Sequence, residues 1–181
     1  MATIQLKNVR LAFPNLFEAT SVNGSEPSYS ATFILPPDHP QIAEINKAID
    51  AEATAKWGAK GAANAAALRA ADKVCLHNGD TKADYAGFAG NLFINARNKV
   101  RPTIVDRDRS PLTIADGRPY GGCYVNAIVD IYAQDNNFGK RINASLKGVQ
   151  FAKDGLPFSG GGVAAADAFD VVPDTDTDDM L

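Results

Sequence analysis

The chain has 181 residues, with 18 Lys+Arg against 21 Asp+Glu and a formal net charge of −3. A hydrophobic fraction of 45% and a charged fraction of 22% describe one globular domain with residues left over for a tail, and exclude a wholly disordered chain. No apolar run approaches the roughly 18–20 residues that cross a bilayer, no basic stretch leads an apolar one at the start, and two cysteines, Cys75 and Cys123, make no disulfide framework. The expectation is a reduced, cytoplasmic protein with no membrane partner.

Residues 3–13 alternate apolar and polar, the pattern of a half-buried strand, and Pro14-Asn15 is expected to end it. A second strand, 29–35, is rich in aromatic and β-branched residues and closes on Pro36-Pro37. Asp38 stands where it would cap a helix in which Ile42, Ile45, Ile49 and Ala53 recur at helical spacing through Trp57, with Gly58 as its stop. Trp57 could stack on a base, but it completes the apolar stripe and is assigned to the core. An Ala-rich helix follows, near 62–72.

From residue 74 the pattern is β. His77-Asn-Gly-Asp80 reads as a turn, 84–90 as a glycine-punctuated loop holding Tyr85 and Phe88, and 91–105 as a long strand. Another strand spans 120–133, a hairpin turn 134–139, and the last strand 140–153. Five or so strands with one helical insertion after the second predict a mainly β protein built on a small barrel.

The strand at 91–105 carries the chemistry. Alternation puts Leu92, Ile94, Ala96, Asn98 and Val100 on a core face and Phe93, Asn95, Arg97, Lys99 and Arg101 on the other, with Arg107 and Arg109 in the next loop. Cations about 6.6–7 Å apart along a strand match the repeat of an extended phosphate backbone. Interleaved aromatics offer flat surfaces to unstacked bases. In the hairpin, Tyr124 and Tyr132 share a face, and the turn presents Phe138 beside Lys140 and Arg141. Lys147 and Phe151 are expected on the face of Arg141. The candidate DNA-binding set is thus Phe93, Arg97, Lys99, Arg101, Arg107, Arg109, Tyr124, Tyr132, Phe138, Lys140, Arg141 and Lys147.

The charge is unevenly distributed. Residues 167–181 hold six acids and no base, leaving the preceding 166 residues a net +3. A mildly basic body of 1–158 is joined by the glycine-rich linker 159–166 to an acidic tail, 167–181. This asymmetry suits a body with a polyanionic partner and a tail used for interaction. The linker is expected to act as a flexible tether that keeps the tail at high local concentration beside the basic surface.

Three other readings compete. Cys75-x-His77 with His39 and Cys123 could ligate zinc, but the paired Cys-x₂-Cys spacing is missing, so the cysteines read as small buried hydrophobes. Asp106-x-Asp108 could serve a nuclease, but a two-metal site needs rigidly held carboxylates. No catalytic group and no cofactor is therefore expected. The remaining alternative is a structural or protein-interaction module in which the charged strand face is merely solvated.

Asn78-Gly-Asp80, the strand into Arg101-Pro-Thr-Ile-Val-Asp106, Tyr120-Gly-Gly, the hairpin around Tyr132 and Gly160-Gly-Gly162 follow one another in an order that resembles T7-like bacteriophage single-stranded DNA-binding proteins. Lys7-Asn-Val-Arg-Leu-Ala-Phe-Pro-Asn-Leu-Phe17, Tyr29-Ser-Ala-Thr-Phe33 and the stretch from Leu146 to Gly155 are similar to a phage family of the same class. The resemblance implies a five-stranded OB-fold and binding of single-stranded DNA without sequence choice, during phage DNA replication and recombination. It further implies a disordered acidic tail that competes for the groove and recruits replication proteins such as a polymerase or helicase. Tyr132 is the position that matches a DNA-binding hairpin tyrosine. Tails of this class often finish in an aromatic residue, whereas this one ends Met180-Leu181, which does not suit a partner that requires a terminal ring. The tail is also short, which weakens the carry-over of tail-mediated dimerisation, and a monomer is slightly preferred over a dimer.

Overall fold

A computed structural model describes residues 1–21, 24–158 and 169–172. The linker 159–166 and all of the acidic tail except 169–172 lie outside the described residues.

Seven strands form one sheet: β1 (Ala2–Thr20), β2 (Ser28–Leu35), β3 (Leu76–Asn78), β4 (Leu92–Asn98), β5 (Thr103–Val105), β6 (Tyr124–Asn136) and β7 (Gly139–Lys153). Their order is β3-β4-β2-β1-β6-β7-β5, and a further parallel pairing of β4 with β7, through Ala96–Ala144 and Arg97–Ser145, closes the sheet on itself. Five strands therefore make the barrel, in the cyclic order β1-β2-β4-β7-β6, while β3 and β5 are short flanking pieces. This is the OB architecture that the sequence predicts, with two helices, α1 (Ile42–Trp57) and α2 (Gly61–Ala70), inserted after the second strand.

Inward residues alternate along the strands, as in Val125, Ala127, Val129 and Ile131 of β6, and Ile45, Ile49 and Ala53 of α1 join the same apolar cluster. Each large side chain buried there contributes about 1.5–3 kcal/mol. Trp57 packs against this cluster, as its place in the stripe predicts, and its Nε1 donates to Asp135 Oδ2 at 3.0 Å. Gly58, at φ 59° and ψ −126°, ends α1 in a positive-φ conformation that glycine adopts without strain. Cys75 and Cys123 are buried free thiols, and burial pushes them up to about 12 and about 11.

Several expectations need correction. Pro14 does not end β1. The strand shifts register against β2 between Ala12 and Asn15 and continues to Thr20, since a bulge accommodates a residue with no N–H. At the bulge Phe13 takes φ 47° and faces outward. Asp38 is not the cap of α1; Gln41 is, and its side chain accepts from Lys7 N–H and donates to Gln5 O, fastening the helix start to β1. The long strand 91–105 is broken into β4 and β5 by the turn containing Lys99, Val100 and Arg101, where Asn98 Oδ1 accepts from the Val100 N–H. Phe151 is not on the face of Arg141: Ile128 pairs with Gly148 but Val129 with Leu146, so Lys147 is an extra residue that reverses the alternation and turns Phe151 into the core.

Candidate nucleic-acid interface

A groove of about 720 Å³ crosses the outside of the barrel from β1 over β2 and β4 to the β6–β7 hairpin. Its floor is neutral and hydrogen-bonded in pairs. Asn15 Nδ2 donates to Ser30 Oγ at 3.3 Å, Thr32 Oγ1 to Asn95 Oδ1 at 2.7 Å, and Asn143 Nδ2 to Gln134 Oε1 at 2.8 Å. Such fixed amides and hydroxyls hold a polar surface flat without placing a charge on it. The charges come from Lys82, in the 3₁₀ turn after β3, Arg97 of β4 and Arg141 of β7, and among the described residues no Asp or Glu lines the groove. Uncompensated cations in a concave site raise the local concentration of a polyanion.

The rings stand at the two ends. At one, Phe13 is 50% exposed and meets Tyr85 edge-on at 5.2 Å, with Phe88 beneath at 5.8 Å. At the other, half-buried Tyr132 stands where the groove opens into a second hollow of about 340 Å³, which it lines together with Arg97, Lys99 and Ser145. That hollow runs to the β1–β2 loop, where Lys99 Nζ meets Glu26 Oε2 at 2.6 Å. Phe138, at the hairpin tip, is 88% exposed beside Lys140.

Of the residues singled out from sequence, the fold thus brings Arg97, Tyr132 and Arg141 together in the groove, with Lys99 in its extension and Phe138 and Lys140 on the hairpin above. The others lie elsewhere. Phe93 is 2% exposed: alternation put it on the correct face, but Phe88, Ile34, Ala12 and Phe158 cover it there in a second apolar cluster. Arg101 stands 5.5 Å from the Phe17 ring centroid, and Lys147 pairs with Asp130 at 3.7 Å. Arg107 donates to Ala152 O and lies 5.0 Å from the Phe151 ring, while Arg109 takes φ 70° in the turn between Asp106 and Ser110. The acids of this turn are engaged locally. The Arg107 N–H and then Arg118 hold the Asp106 carboxyl below its usual range, and the Ser110 hydroxyl and N–H do the same for Asp108.

Tyr124 faces a different cleft, of about 880 Å³, at the start of α1. Its ring has Lys153 Nζ at 4.7 Å and Arg10 at 5.9 Å. This cleft is larger, but Asp38 and Glu44 line it alongside Lys7 and Arg10, and Arg10 donates to Gly122 O and Leu156 O. Charge therefore singles out the smaller groove. Sequence reasoning missed Phe13, Lys82 and His77 as lining residues. An aromatic followed by proline inside a strand was the available sign of a bulge at Phe13; nothing local marked Lys82.

The family model described as Enterobacter phage Enc34, ssDNA-binding protein, matches residues 2–181. The chain belongs to that family. Its members are binding proteins and not enzymes. Protein p50 of Acyrthosiphon pisum secondary endosymbiont phage 1 is 47% identical over 182 residues, covering 98% of either chain. The single-stranded DNA-binding protein of bacteriophage Enc34, solved in complex with ssDNA, superposes with a TM-score of 0.73 at 28% identity, over 87% of this chain and 89% of that one. The single-stranded DNA-binding protein gp2.5 of bacteriophage T7 has a TM-score of 0.55 at 12% identity, over 95% of this chain and 99% of that one, a likeness of fold alone. Among the described residues, no helix is long and apolar enough to cross a membrane.

Proposed function

We propose that the chain binds single-stranded DNA without sequence choice, along the groove from Phe13 and Lys82 to Tyr132 and its extension toward Lys99. The observation that carries this reading is the groove lining, where the described residues supply Lys82, Arg97 and Arg141 but no Asp or Glu, over a neutral floor with rings at both ends; in the extension Glu26 is paired with Lys99. Cations that meet phosphates release counterions, and rings accept bases of any identity, which gives affinity without a code. The OB strands that line the groove are those on which such folds take oligonucleotides, and the Enc34 relative was solved with ssDNA.

In this reading residues 1–158 are the DNA-binding body, 159–166 a tether, and 167–181 an acidic tail that competes for the groove. Six acids against a body of +3 favour that contact when the groove is empty. A DNA strand displaces the tail, which is then open to replication proteins such as a polymerase or helicase. The protein works as a monomer in phage DNA replication and recombination.

The test is a mobility-shift titration of oligo(dT) at two salt concentrations. In the Arg97→Ala/Arg141→Ala double variant, affinity falls by about a hundredfold at low salt and the salt slope flattens by about 1.4, since each lost single-strand phosphate contact removes about 0.7. The reading is overturned if wild type gives no shift, or if the double variant binds as wild type does.

A further inference from the structure

The chain has two histidines, and they stand in opposite situations. His39 is saturated. Its Nδ1 accepts from the Gln41 N–H at 3.1 Å, which requires a lone pair there, so Nε2 carries the hydrogen and donates to Lys7 O at 2.8 Å. The neutral ring satisfies both nitrogens, and a second proton would break the Gln41 bond. His39 lines the cleft at the start of α1, away from the groove.

His77 is half satisfied. Its Nδ1 lies 2.6 Å from Asp72 Oδ1, and a carboxylate only accepts, so Nδ1 keeps its hydrogen and the neutral ring leaves a lone pair on Nε2. Nε2 has no partner among the described residues, and no buried side-chain nitrogen or oxygen there is without one, so Nε2 is open to solvent. The ring lines the groove, backed by Phe93 at 5.0 Å and 27°. Phe93, which offers no surface to a base itself, thereby serves as the plate against which His77 is held.

Resting on the groove reading above, we infer that His77 is a proton-dependent DNA contact, its Nε2 donating to a phosphate when the imidazole is charged. An imidazole is the side chain whose ordinary titration falls between about pH 5 and 8. Protonation turns Nε2 from an acceptor, which a phosphate oxygen repels, into a charge-assisted donor. It also raises the His77–Asp72 pair from −1 to neutral, so the groove gains one positive charge. The groups facing the ring do not cancel this. Asp72 favours the charged ring. Lys82 approaches from the 3₁₀ turn, its Nζ 5.9 Å from the Phe93 centroid, and opposes it. Cys75, with its thiol pushed up to about 12, stays neutral, and Arg97 and Arg141 line the groove beside it. A bound polyanion offsets the repulsion from those three cations. By reciprocity, DNA that prefers the protonated ring draws a proton from solution as it binds.

The experiment measures oligo(dT) affinity of the full chain at about pH 5.8 and pH 8 at fixed salt, with calorimetry near pH 6.5 in buffers of different ionisation enthalpy. Wild type binds about three- to tenfold tighter at the lower pH and takes up protons on binding. His77→Gln loses both effects, and His39→Gln keeps both. The inference is overturned by pH-independent binding, by no proton uptake in wild type, by a pH effect surviving in His77→Gln, or by its loss in His39→Gln. The wild-type and His39→Gln measurements decide the matter even if His77→Gln does not fold. Absence of oligo(dT) binding at every pH instead defeats the groove reading itself.

Discussion

Two concave regions border the Phe88–Phe93 cluster, one through Ile34 and the other through Phe13 and His77, and they differ in how their cations are used. In the cleft at the start of α1, Arg10 gives hydrogen bonds to Gly122 O and Leu156 O and stacks on Phe158 at 4.2 Å, with Asp38 and Glu44 nearby. In the groove, Lys82, Arg97 and Arg141 have no acid beside them among the described lining residues. A cation whose donors are already satisfied within the fold has little left for a ligand, whereas one facing neutral amides keeps its field for a partner. Counting basic residues along a sequence misses this distinction; their partners reveal it.

The comparison can be broken at its base through Phe93. The Phe93→Ala variant opens a cavity in the second cluster and loses about 3–5 kcal/mol of stability in urea melts, while at about pH 8, where the inferred His77 contact is not made, the folded molecules keep oligo(dT) affinity within about twofold. A large loss of affinity with an unchanged melt would put Phe93 in the interface instead. The tyrosines sharpen the contrast next. Tyr132→Ala weakens binding by about 1–3 kcal/mol with the salt slope intact, as loss of a stacking ring does. Tyr124→Ala, in the acid-lined cleft, changes nothing in the same titration; equal losses would merge the two regions into one interface. The smallest effect comes from removing 167–181. The truncated chain binds oligo(dT) about two- to fivefold tighter at low salt, with a shallower salt dependence, because the cis competitor is gone. Unchanged binding would end the competition model.

Much of the fold was legible because most strands keep their alternation. Strand β2, the body of helix α1 and strand β7 fall close to where their patterns put them, β6 starts and ends later than expected, at Tyr124–Asn136, which leaves a turn of only 137–138, and Arg97 and Arg141 face outward as expected. What failed was alternation across irregularities. Lys147 is one residue too many for the ladder, which sends Phe151 inward, and the bulge at Phe13 lets β1 run past Pro14. The outward face of Phe93 was read correctly, but its cover comes from Phe88, Ile34, Ala12 and Phe158, scattered over the chain. Local periodicity carries no information about such distant lids. For the same reason Lys82, which reaches the groove only through the turn after β3, had no visible sign.

The barrel closes through the parallel pairing of β4 and β7, held at Ala96–Ala144 and Arg97–Ser145, a far shorter ladder than the thirteen pairs of β6 with β7. Arg97 and Arg141 stand on opposite banks of that joint. A ligand lying over both would act as a clasp on the weakest hinge of the cylinder, and one that binds only the shut form adds its own binding free energy to the joint. The place where the molecule is least secured by its own backbone is thus the place where an occupant would secure it most.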